Sequence, residues 1–142
     1  MKLSATAATM RIASHCKEKM KTPTFLVAAL LACAAQAEIV DVTWSADGAA
    51  AREFTVAPGK FAEWCTTLRR GDKVRWQFEA AQPVNFNVHY HVGKDIHFPA
   101  RQDQVTRLQG TLEVAADQDY CWMWSSKRAG PVAVKAALAQ VR

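Results

Sequence analysis

Three of the four histidines, His89, His91 and His97, fall within nine residues of one another, inside PVNFNVHYHVGKDIHFP (83–99). Imidazole binds Cu(II) and Zn(II), and a nearby carboxylate such as Asp95 serves the same ions. On a strand His89 and His91 share a face, about 6–7 Å apart at Cα. Whether His97 joins them depends on the register of the hairpin. A three-residue loop, Val92-Gly93-Lys94, sets His89 opposite His97 and His91 opposite Asp95, and leaves Val88, Tyr90, Ile96 and Phe98 on the other face. A two-residue loop, Val92-Gly93, sets His89 opposite Ile96 and mixes polar with apolar residues. The buried face normally governs register, so the pattern predicts the three-residue loop, although such loops usually want glycine at the last position. The expected metal set is then His89, His91 and His97 with Asp95 in support. The alternative for these residues is a solvated polar face, as antiparallel sheets often have.

Other chemistry is sparse. The segment beyond residue 37 holds three serines, Ser45, Ser125 and Ser126, none within GxSxG. It shows no paired carboxylates and no phosphate-cradling glycine loop. Asp95 alone is slight support for a metal-assisted hydrolase, which needs an open coordination position and a general base. A non-enzymatic protein is expected. Five tryptophans are many for this length. Trp122 and Trp124 alternate with Cys121 and Met123, so they could form an aromatic platform for a sugar or a peptide. Filling a small core is the plainer use of such rings.

The elements that must position these groups begin after a leader. FLVAALLACAA (25–35) is too short to span a bilayer, which takes roughly 20 apolar residues. It suits the apolar region of a secretory signal, and Ala35-Gln36-Ala37 gives a cleavage pattern. The reading is a signal region over 1–37 with cleavage after Ala37, and Met20 as the expected translation start. Leu30-Leu31-Ala32-Cys33 offers a competing reading, in which Cys33 carries a lipid anchor. No transmembrane span is expected beyond it.

Removing the leader changes the charge. Residues 38–142 carry 13 Lys and Arg against 12 Asp and Glu, a net +1, so the basic face a nucleic-acid binder needs is missing. Two cysteines remain, Cys65 and Cys121. In an exported chain without CxxC spacing they read as one disulfide, with paired thiol ligands or a redox pair as the alternative.

Period-two alternation runs through residues 38–142. IVDVTWSA, REFTVA, FAEWCTTL, DKVRWQFEA, VNFNVHYH, DIHF, GTLEVA, DYCWMWS and PVAVKAALAQV are expected strands, separated by Gly and Pro turns. Many short strands indicate a β-sandwich or barrel, and the all-β fold expected is an antiparallel β-sandwich of about eight or nine strands in a single domain over 38–142.

In order, EFTVAPGKFAEWCTTLRRGDKVRWQF, FNVHYHVGKDIHFP and GTLEVAADQDYCWMW resemble the GOLD domain, a β-sandwich of secretory-pathway cargo receptors. The likeness covers roughly Arg52–Val141. It implies a Cys65–Cys121 disulfide and a binding module. The receptors' coiled coil, membrane span and tail have no counterpart before Arg142, so a trafficking role is not carried over. The histidines lie outside the family pattern.

The expectation is therefore an exported protein, periplasmic or secreted, that binds rather than converts. One candidate partner is a metal ion, copper or zinc, with no cofactor required. The other is a protein or carbohydrate, with no metal involved.

Overall fold

The computed structural model describes residues 37–142. The expected start at Met20, the alternative lipidation site at Cys33 and nearly all of the expected leader lie outside the described residues. Seven strands form: β1 (Glu38–Asp41), β2 (Ala49–Val56), β3 (Phe61–Leu68), β4 (Lys73–Val92), β5 (Asp95–Glu113), β6 (Gln118–Ser125) and β7 (Val132–Gln140). The all-β expectation holds. The count falls from nine because two pairs of expected strands are continuous. DKVRWQFEA and VNFNVHYH join as β4, and DIHF and GTLEVA join as β5. Pro83 should break a central strand, since it cannot donate to a ladder. It is tolerated because the β4–β5 pairing is irregular between Glu79 and Val84.

That irregularity organises the molecule. The first half of β4, Val74–Ala80, pairs with β7, while the second half, Asn85–His89, pairs with β6. Strand β5 follows β4 along both halves. The sheet order is β1-β3-β6-β4-β7-β2, and β1 with β3 is a parallel pair. The strands thus make one continuous sheet, wrapped nearly into a barrel, where a two-sheet sandwich was expected. Its outermost strands approach each other: Arg52 of β2 bonds to Glu38 of β1 at 2.8 Å. Both side chains are well exposed, so the pair is worth at most about 1 kcal/mol.

The inner face is aromatic. Phe86 meets Trp76 and Phe78 at 4.8 Å between ring centroids, and Phe54 meets Trp124 at 5.2 Å. Trp122 and Trp124 are 0% and 1% exposed. Their rings are spent on packing, the plainer of the two uses read from the sequence, and they form no ligand platform. Trp76 lies across Gly110, its partner on β5. A Cβ there would stand 2.5 Å from the indole, so only glycine admits this approach. Among the described residues no helix is long and apolar enough to cross a membrane.

Candidate metal-binding face

Opposite the tryptophans, the outer face of β3, β6 and the second half of β4 carries the chemistry. Strand pairing aligns Glu63 with Met123, Cys65 with Cys121, Asn87 with Met123 and His89 with Cys121. Paired residues share a face. Glu63, Cys65, Cys121, Met123, Asn87 and His89 therefore form one continuous patch. Cys65 and Cys121 are disulfide-bonded, with Cα atoms 4.1 Å apart, as read from the sequence.

His89 is 6% exposed and Asn87 8% exposed, although both point away from the core. The Phe98 ring lies 6.1 Å from the His89 ring and helps to cover it. His89 Nδ1 donates to Asn87 Oδ1 at 2.8 Å. That bond fixes the tautomer, because the amide oxygen accepts only from a protonated nitrogen. Burial lowers the His89 pKa, and the neighbouring His91 lowers it further. Both effects favour the neutral ring, and Nε2 lies 3.9 Å from Glu63 Oε1. That distance exceeds a hydrogen bond. Burial raises the Glu63 pKa, against an opposing pull from His91. A ring nitrogen of His89, a Glu63 carboxylate oxygen and the Cys121 sulfur lie within 4.8 Å of one another. His91 lies outside that close group, its ring 5.4 Å from that of His89.

The hairpin register differs from the expected one. Val92 pairs with Asp95, His91 with Ile96 and Tyr90 with His97, closing on a two-residue loop of Gly93-Lys94. Gly93 has φ of +60°, which suits the first central position of a type II′ turn. The reason is exposure. Ile96 and Phe98 are 50% and 46% exposed, so neither face of the tip is buried and burial cannot select the register. The turn selects it instead. His97 consequently stacks on Tyr90 at 4.9 Å, with planes 12° apart. Asp95 and His97 share the face of Tyr90 and Val92, while His89 and His91 occupy the other. Of the four expected ligands the structure brings two together. It adds Glu63 and Asn87, which the sequence reading did not name. A signal for Glu63 existed: the Cys65–Cys121 bond fixes the β3–β6 register and sets Glu63 one pair away. The missing step was that β6 also borders the histidine strand.

Fold comparison finds the chain similar to small β-rich domains of known structure. PliG from Aeromonas hydrophila, a periplasmic lysozyme inhibitor of g-type lysozyme, matches with a TM-score of 0.60 at 16% identity, over 75% of this chain and 98% of that one. The pre-peptidase C-terminal domain of a Bacillus anthracis collagenase matches at 0.52 and 6% identity, over 72% and 94% of the two chains. CorA, a surface-associated copper-binding protein of Methylomicrobium album BG8, matches at 0.50 and 10% identity, over 74% and 98%. At these identities the likeness is one of fold. No family model matches the sequence, so the GOLD resemblance stays one of pattern. No curated protein matches it either.

Proposed function

We propose that this is an exported, non-enzymatic binding protein, periplasmic or secreted, that takes up Cu(II) or Zn(II) on the face formed by His89, His91 and Glu63. The observation that carries this reading is the fixed tautomer of His89. Asn87 holds Nδ1 protonated and turns the Nε2 lone pair toward a carboxylate 3.9 Å away. This is how ligand histidines are commonly oriented, through a hydrogen bond on the second ring nitrogen. Imidazole with carboxylate suits both ions. Asp95 and His97 are left out of the set because they lie on the opposite face of the hairpin. That CorA is named as copper-binding supports the reading at the level of fold.

The test is calorimetric titration of the oxidised 38–142 protein with Cu(II) and with Zn(II). Binding tighter than roughly millimolar is expected, abolished by His89→Ala and unchanged by His97→Ala. A variant that loses binding through His97 and not His89 would sink the assignment. Occupancy at about 100 times the dissociation constant should also stabilise the fold by about 2.7 kcal/mol.

A second reading is favoured by the exposed hairpin tip, where Ile96 and Phe98 stand out on one face and Val92 on the other. Exposed apolar clusters mark contact surfaces, and PliG is named as an inhibitor of another protein. In this reading the tip engages a protein and the histidine face carries no metal. Metal-free purified protein with no metal-induced thermal shift would select it.

A further inference from the structure

The patch around His89 contains a ligand atom that is withheld. Cys121 pairs directly with His89 across β4 and β6, and its Sγ belongs to the same close group as the His89 and Glu63 donors. In the disulfide that sulfur is spent on Cys65. We propose that the Cys65–Cys121 disulfide gates the metal site. Reduction releases Cys121 as a thiolate ligand beside His89 and Glu63 and converts an imidazole–carboxylate site into a sulfur-containing Zn(II) site. The proposal rests on the metal-binding reading of this face.

The arrangement supports it in three ways. Cys65 and Cys121 are half-buried on the outer face rather than sealed in the core, and access is what thiol–disulfide exchange requires. Cys121 lies on β6 between Glu63 on β3 and His89 on β4, so the three donors are drawn from three adjacent strands and converge on one point. Thiolate is the softest donor available and selects zinc or monovalent copper over harder ions.

The chemistry balances with a dithiol reductant. One of its thiolates attacks a sulfur of the disulfide and forms a mixed disulfide. Its second thiol then displaces the protein sulfur and closes the reductant's own disulfide. Two electrons have entered the S–S bond, which breaks, and the reductant's two protons end on Cys65 and Cys121. When the metal arrives, the Cys121 thiol releases its proton to water and the sulfur bonds the ion.

The test uses Co(II) as a spectroscopic probe and Zn(II) for affinity, without oxygen, on the 38–142 protein. Wild type is measured oxidised, and again after reduction by a phosphine that is then removed. Cys65→Ser and Cys121→Ser are measured alongside. Both variants lose the disulfide equally, so a difference between them reports coordination and not stability. Reduced wild type and Cys65→Ser are expected to show a thiolate-to-cobalt charge-transfer band and a Zn(II) affinity at least about tenfold above that of the oxidised protein. Cys121→Ser should show neither. Equal bands in the two variants, or no band in reduced wild type, would overturn the proposal. Should neither variant fold, the band in reduced wild type decides alone. Metal binding by the oxidised protein with no gain on reduction defeats the gate and leaves the metal reading standing. Binding only after reduction defeats the oxidised His–Glu site and leaves the gate.

Discussion

Asn87 is the residue whose role is easiest to mistake. Asparagine in the middle of a strand is unfavourable, and at 8% exposure its amide needs partners. It earns its place through one bond, to His89 Nδ1. On the metal-binding reading proposed above, Asn87→Leu should lower metal affinity about 10–100-fold with little change in fold, the usual effect of removing a group that orients a ligand. Titration beside circular dichroism checks both halves of that statement. His89 and His91 were legible as same-face neighbours because period two is a local property. The separation of His97 from them was not, because the register of an exposed tip follows from Gly93 and not from burial. A smaller case is Asp47. The Ser45 hydroxyl donates to its carboxylate and holds the pKa below the ordinary value. A depressed acid stabilises the fold at pH above its unfolded value and loses that contribution as pH falls through the folded one. The difference in Tm between wild type and Asp47→Asn should thus shrink below about pH 4.

At the scale of elements, β4 carries most of what the alternation could not reveal. Its two halves were both readable as strands, from Val74, Trp76 and Phe78 and from Val84, Phe86 and Val88. Their fusion was not, because Pro83 reads as a stop and is accommodated only where pairing is already irregular. Strand β5 has its own fixed point in Gly110, over which the Trp76 indole lies. Gly110→Val would drive methyl groups into that ring. Overpacking of this kind typically costs about 1–3 kcal/mol, and the loss should appear as a lower denaturant midpoint with an unchanged slope. Nothing in GTLEVA alone distinguishes this glycine from a turn. Only the pairing with Trp76 does.

For the molecule as a whole, the cross-link joins residues 56 apart in sequence. In the chain-entropy model a loop of this size contributes about 4 kcal/mol. A domain of this size usually has about 5–15 kcal/mol in hand. Reduced protein should therefore remain folded at 25 °C with a Tm lowered by many degrees, as scanning calorimetry with and without reductant would show. The disulfide and the all-β class were readable from two cysteines, the expected leader and alternation, which are local or compositional signals. The wrapping of one sheet about β4 was not, because it depends on which distant strands border each half. That long-range choice brings Glu63 to the histidines.

The tandem pairs Trp64 with Trp122 and Cys65 with Cys121 sit side by side on β3 and β6, indoles inward and sulfurs outward. The molecule thus carries its own optical probe. A disulfide quenches nearby indole emission by accepting an electron, and a paramagnetic ion quenches it too, whereas a closed-shell ion does not. Tryptophan fluorescence of the unlabelled protein should brighten on reduction, dim with Cu(II) and hold steady with Zn(II), so that the oxidation of the cross-link and the identity of the ion can be followed in one cuvette.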